Sequence, residues 1–183
     1  MLDPALIHRS AEISGSGVYR YRLSRHWDFG KPVMRFIMLN PSTADHNIDD
    51  PTIRRCMGFA RREGSGGIVV VNLFGFRATS PKALWGLSQE DLEGPSNVGW
   101  VTAELNMAAH DRNLGRPGVV VAAWGGSWRP LKRQGIRPFP VLAYAAERQL
   151  PIYCLGVTRD GDPRHPLYIP ADQPLRPYDG FPL

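Results

Sequence analysis

In the stretch RFIMLNPSTADHNIDDPT (residues 35–52), Asn40-Pro41-Ser42-Thr43 leads directly into Asp45, His46, Asp49 and Asp50. An amide and two hydroxyls can hydrogen-bond a small ligand, while clustered carboxylates can share a proton or, with a histidine, hold a divalent cation. Three later stretches carry comparable chemistry. NLFGFRAT groups Asn72, Phe74, Phe76 and Arg77: an amide to read a polar edge, two rings to stack, and a guanidinium to meet an anion. WGGSW places Trp124 and Trp128 around glycines, and GVTRDGDPRHPLYIP delivers Arg164, His165 and Leu167.

Each group also has a plainer reading. Asn-Pro-Ser-Thr can be a turn that caps the next helix. Asn72 can hydrogen-bond a loop. Phe74 and Phe76 fit a core as well as a stacking platform. Asp50 reads as a helix N-cap and Asp49 as its solvated neighbour. The order of the groups along the chain, and their positions relative to the apolar runs, favour a shared site.

Those runs are residues 35–40 (RFIMLN), 67–74 (GIVVVNLF), 118–125 (GVVVAAWG) and 151–156 (PIYCLG). Each is almost continuously apolar, the pattern of strands buried on both faces in a parallel sheet. Helical patterns separate them. DPTIRRCMGFARREG has Asp50 at the N-cap, Pro51 at the first helical position, and Ile53, Met57 and Ala60 at helical spacing. SPKALWGL repeats the cap-then-proline signal, and residues 96–113 and 140–149 are two further candidates. GVYRYRLSRHW alternates large and basic residues, which predicts an antiparallel hairpin or an edge strand. The alternation of strand and helix predicts an α/β fold: a three-layer α/β/α sandwich with a central, mainly four-stranded parallel sheet and an N-terminal antiparallel hairpin. In such sheets ligands bind beyond the carboxyl ends of the strands. The polar groups that follow each run then converge on one rim.

With 183 residues, 43% hydrophobic and 21% charged, the chain predicts one domain over residues 1–183. No apolar run approaches the roughly 20 residues of a membrane span. The N-terminus MLDPALIHRS lacks a secretory pattern. Cys56 and Cys154 lie in apolar patterns outside any C-x-x-C, which predicts buried thiols and a cytoplasmic protein. A net charge of +5 permits a nucleic-acid or nucleotide partner without requiring one. No G-x-G-x-x-G follows a strand, and neither a P-loop nor G-x-S-x-G occurs, so no cofactor is implied.

The blocks MLNPSTAD, DDPTIRRC, VVNLFGFRAT and LGVTRDGDPRHPLY (residues 155–168) resemble those of a bacterial and phage family of unknown function, domain of unknown function 1643. The likeness runs from about Tyr19 to Tyr168 and by itself implies no activity. More distantly, IMLNPS, VAAWGG and RHPLYIP are similar to blocks of the uracil-DNA glycosylase superfamily, where a strand ends in Asn-Pro-Gly and a later one leads to His-Pro-Ser. That resemblance implies a nucleobase pocket at the rim of a four-stranded parallel sheet. Asn40 would hold the attacking water, and His165 would stabilise the leaving base. Asn72 would read the base edge, Phe74 or Phe76 would stack on it, and Leu167 would fill the gap left by a flipped nucleotide. Pro41, Ser42, Thr43, Asp45 and Trp124 would complete the substrate contacts, with Arg77 or Arg164 on phosphate. Ser42 stands where the glycine of Asn-Pro-Gly would be, and Tyr168 and Ile169 replace small residues. The expectation is therefore a DNA or nucleoside N-glycosylase-like enzyme acting on a modified base. Its rivals are a non-catalytic nucleic-acid or nucleotide-binding module and a metal-dependent hydrolase built on Asp45, His46 and Asp49.

Overall fold

A computed structural model describes residues 7–180. The N-terminal start, read above as lacking a secretory pattern, falls partly on residues 1–6, which lie outside the described residues.

Among the described residues seven strands form one sheet: β1 (His8–Ile13), β2 (Arg20–His26), β3 (Val33–Met38), β4 (Gly67–Asn72), β5 (Val120–Ala122), β6 (Ile152–Cys154) and β7 (Arg176–Pro177). Their spatial order is β1-β2-β4-β3-β5-β6-β7. The four runs recognised in the sequence are the parallel centre, β4-β3-β5-β6, in register Phe36 with Val70 and Val121, and Val121 with Tyr153. β1 and β2 form the expected antiparallel hairpin, but β2 is an interior strand, because its other side pairs antiparallel with β4. β7 closes the far side antiparallel to β6.

Strand alternation sends side chains to two cores. Met34, Phe36, Ile68 and Val70 pack with Ile53, Cys56, Met57, Phe59 and Ala60 of α1 (Pro51–Arg62). Ile37, Val69 and Val71 pack on the other face with Val101, Leu105 and Ala108 of α3 (Asn97–Asn113). The short helices α2 (Gln89–Glu93), α4 (Arg129–Arg133) and α5 (Val141–Ala146) complete the elements. Phe36 is fully buried, so Phe36→Ala would cost about 3–5 kcal/mol. Both cysteines are buried and free. Among the described residues no helix is long and apolar enough to cross a membrane.

Three expected elements come out shorter or tighter. Only Val120–Ala122 of the third run joins the ladder, because Gly118 turns at φ +37 just before it. SPKALWGL makes a 3-10 turn at Pro81–Leu84, capped by Ser80 accepting from Lys82 N–H, rather than a longer helix. The last helix covers Val141–Ala146 rather than residues 140–149, and Gln149 takes φ +52 beyond its end. Asp50 does cap α1, accepting from Ile53 N–H at 2.8 Å, with Pro51 at the first position.

Candidate functional site

Strands β3, β5 and β6 all point their carboxyl ends at a cleft of about 580 Å3. That volume suits one small ligand. Asn40 comes from the end of β3, Trp124 from the end of β5, and Arg164, His165, Leu167 and Tyr168 from the loop after β6. Ser42 also lines it, beside Thr52 in the first turn of α1.

Asn40 has two sides with different commitments. Its Nδ2 donates to the carbonyls of Pro41 at 3.0 Å, Ala78 at 2.9 Å and Phe76 at 3.5 Å. The amide nitrogen therefore ties the end of β3 to the loop after β4. No donor among the described residues is bonded to Oδ1. That oxygen is available to accept a hydrogen bond from a ligand or a water in the cleft.

His165 is held by its own chain. Its Nδ1 accepts the Leu167 N–H at 3.3 Å, capping the 3-10 turn Pro166–Tyr168. Burial pushes the imidazole pKa below its ordinary 6.5, a shift that Asp50 partly offsets. The ring is therefore neutral near pH 7. With Nδ1 accepting, its proton lies on Nε2, which makes His165 a neutral donor.

The residue that fixes this loop is Asp162, which was not among the candidates named from the sequence. Its carboxylate is fully buried. It accepts from Trp128 Nε1 at 2.8 Å and from Arg129 Nε at 2.6 Å. Its backbone N–H reaches Thr158 Oγ1, and its carbonyl accepts from Thr158 N–H. The loop after β6 is thereby locked to the WGGSW loop after β5. Gly125 N–H donates to the Pro163 carbonyl at 2.9 Å. Gly125 takes φ +70, and a Cβ there would lie 3.4 Å from the His165 Cβ, so glycine both allows the turn and leaves room for the histidine. The one signal for Asp162 in the sequence is the turn-forming DGDP.

Tyr168 was noted above only as standing where the glycosylase blocks have a small residue. It lies at the rim, 79% exposed, with its ring 5.7 Å from that of His165. Together with Trp124 it supplies the aromatic surface of the cleft.

The expected convergence is partial, and several assignments are corrected. Asn72 does not line the cleft. Strand alternation puts it on the α1 face beside Val70, where it is buried with both side-chain polar atoms unpaired among the described residues. Phe74 is fully buried in the α3-side core and offers no face to a ligand. Phe76 packs edge-on against Tyr19 and bridges to it, away from the cleft. Arg77 donates to the Gly17 carbonyl at 3.0 Å and also stands outside the cleft. Pro41 is buried behind the loop, and Thr43 is exposed but not part of the lining. Asp45 caps a local turn through Asn47 N–H at 2.7 Å and Ile48 N–H at 2.9 Å, which together hold its pKa below 3.8. Asp49 is bound to Arg9 and Arg25, and Asp50 caps α1. The carboxylates of the proposed metal centre are thus held in separate structural bonds. Among the described residues no three His, Cys, Asp or Glu side chains come together as a metal-holding group.

A family model described as a protein of unknown function, DUF1643, matches residues 20–167. The chain belongs to the DUF1643 family. The DUF1643 match contains Asn40, Trp124, Asp162 and His165, and leaves β1 and β7 outside it. No curated protein and no solved structure matches the chain.

Proposed function

We propose that this chain is a nucleobase- or nucleotide-recognising domain that hydrolyses the N-glycosidic bond of a modified base, in DNA or in a free nucleoside or nucleotide. The corresponding fold is a three-layer α/β/α sandwich of the uracil-DNA glycosylase kind, with a helix-bearing core on each face of the parallel centre. One observation carries the reading: a free acceptor, Asn40 Oδ1, and a neutral donor, His165 Nε2–H, belong to one cleft at the carboxyl ends of parallel strands.

As the bond between the sugar and the base nitrogen breaks, electrons move onto the base and the sugar becomes cation-like. His165 Nε2–H would hydrogen-bond the base oxygen that gains charge. Because that donor is neutral, it stabilises the anion without needing a proton from solvent. Asn40 Oδ1 would accept a hydrogen bond from the water that attacks the sugar carbon, holding it in line. Tyr168 and Trp124, rather than Phe74 or Phe76, would stack on the base. Arg164 at the rim would meet a phosphate.

The test is incubation of the protein with DNA and free nucleosides carrying varied modified bases, with mass spectrometry for released base. Release that disappears in His165→Ala while ligand binding persists supports hydrolysis. Binding without release from any substrate leaves the second reading, a non-catalytic binding module. The triple commitment of the Asn40 amide nitrogen to loop carbonyls favours that alternative, because it gives Asn40 a structural reason to be there.

A further inference from the structure

A second cavity, of about 410 Å3, lies at the opposite end of the sheet from Asn40 and His165, between the start of β3 and the C-terminal part of α3. Phe29, Lys31, Arg35, Met107, Asp111 and Arg116 are in its wall.

Its charges do not balance. Glu104 is shared by Arg22 at 2.7 Å and Arg35 at 3.1 Å. Asp111 is shared by Arg35 at 2.9 Å and Arg116 at 3.9 Å. In the wall itself two guanidiniums, Arg35 and Arg116, therefore share one carboxylate, Asp111, and Arg35's other partner, Glu104, is divided with Arg22 outside the lining. Lys31 is matched by Asp28 at 3.3 Å and leaves the surplus unchanged. Arg35 is almost fully buried, and its Nη1 has no hydrogen-bond partner among the described residues. Arg116, at the mouth, has 65% of its side chain exposed and is free to turn toward a ligand. His26, also in the wall, has its pKa lowered first by burial and then by Arg22 and His8, in keeping with a positive surrounding.

The apolar part of the wall is equally unusual. Phe29 is 76% exposed, and Met107 on α3 is more than half exposed. Phe29 is nevertheless held in place, its ring 5.3 Å from His26 and nearly parallel to it, with His8 edge-on. A fixed, solvent-facing ring beside a polarisable thioether is a platform for another ring. The same concavity offers one uncompensated positive charge on a guanidinium, the group best suited to a carboxylate or phosphate.

We propose that this cavity binds a small aromatic molecule bearing one anionic group, with its ring against Phe29 and Met107 and its charge on Arg116. The site is separate from the cleft, and its occupancy does not depend on the reading of the cleft.

The experiment is a titration of the full chain followed by the methyl NMR signal of Met107, assigned by its loss in Met107→Leu. The probes are benzoate and phenyl phosphate, with benzamide as the uncharged control and acetate as the ringless one. A saturable shift with either aromatic anion is expected, and the tighter of the two identifies the anionic group. Benzamide and acetate should each bind at least about fivefold more weakly, as should benzoate to Arg116→Ala, the scale of one part-exposed ion pair. Phe29→Ala should weaken benzoate comparably. Both side chains are exposed, so unchanged thermal unfolding would show that the variants stay folded. Equal binding of benzoate and benzamide, benzoate binding indifferent to both variants, or no saturable shift with either anion would overturn the proposal.

Discussion

Arg25 and Asp49 form an ion pair beneath the loop between β3 and α1, with Arg25 Nε 2.7 Å from Asp49 Oδ1. Arg25 is fully buried near the end of β2. Its remaining nitrogens donate to the carbonyls of Ser24 and Asp45, so one side chain anchors most of the loop that follows Asn40. Arg9 meets the other Asp49 oxygen at 2.6 Å. The cluster that reads as metal chemistry in the sequence is the foundation of the cleft wall.

Asp49→Ala should therefore destabilise the protein by about 3–5 kcal/mol in urea unfolding, because it strands a buried guanidinium. Burial alone would raise the Asp49 pKa, but hydrogen bonds from Arg9 and Arg25 win and hold it below 3.8. A carboxylate with a depressed folded pKa contributes fully above its unfolded value and loses that contribution as pH falls through the folded one. Parent and variant stabilities should therefore converge in acid. A constant difference down to the lowest folded pH would rule out the ion pair as the cause.

Asp162→Ala should cost about 2–3 kcal/mol, the scale of removing an ionised acceptor from two donors. Trp128 and Arg129 would lose their shared partner, freeing the loops on both sides of His165. Tryptophan fluorescence should change together with ligand affinity. An unaltered affinity in a destabilised variant would show that the cleft keeps its shape without this clamp.

The His165 pKa is depressed below 6.5, so the unfolded chain binds more protons than the folded one in the window just below that value. Stability attributable to this ring is present above pH 6.5 and is lost as pH falls toward the folded pKa. His165→Gln should flatten that part of the stability profile, measured by thermal unfolding between pH 7.5 and 5. If the proposed chemistry holds, turnover should stay level from neutral pH upward and fall with the same lowered pKa. A ring whose Cε1 proton titrates at or above 6.5 by NMR would contradict the neutral-donor assignment.

Asn40→Ala and Asn40→Asp should differ in an informative way. Alanine removes the bonds to Pro41, Phe76 and Ala78, at a cost of about 1–3 kcal/mol. Aspartate keeps an acceptor oxygen but sets a carboxylate against those carbonyls, and should unfold at a lower temperature than alanine. The reverse order would mean that the loop does not depend on the amide nitrogen.

The salt dependence of DNA binding should be shallow. Arg55 donates to the Ile169 carbonyl, Arg54 to the Asp49 carbonyl and Arg77 to the Gly17 carbonyl, whereas Arg164 lines the cleft and commits only its Nε, to the Val157 carbonyl, leaving its terminal nitrogens for a phosphate. A log–log slope of roughly −1 to −2 is expected at about −0.9 per phosphate neutralised on a duplex. A slope several times steeper would require a basic surface away from this cleft.

The parallel centre of the sheet was legible because strands buried on both faces have to be apolar along their whole length. Asn40 and His165 were legible because each stands just beyond such a strand or in the loop that leaves it. The hairpin was expected from GVYRYRLSRHW, but the position of its first strand, β1, was not legible, since HRSAEI is a half-exposed polar strand with no distinctive periodic signal. Asn72 and Phe74 were misplaced for a related reason. Position after a strand says which end of the sheet a residue occupies, but the face it takes depends on alternation and on which core has room. Asp162 escaped notice because a carboxylate in a turn that also holds Arg159, Asp160 and Arg164 looks solvated until the indole and guanidinium that bury it are brought from more than thirty positions away. Phe29 and Arg116, 87 positions apart in the chain, carried no joint signal at all.

The two borders of the sheet are unequal. β7 consists of Arg176 and Pro177, and proline has no N–H to donate, so the border nearest the cleft offers almost nothing for a further strand to pair with. The opposite border, β1, runs six residues with its outward hydrogen-bonding groups unused by any strand among the described residues. Any chain that lengthens this sheet, a second copy included, must add at the hairpin side, and the mouth between Asn40 and His165 stays open in such an assembly.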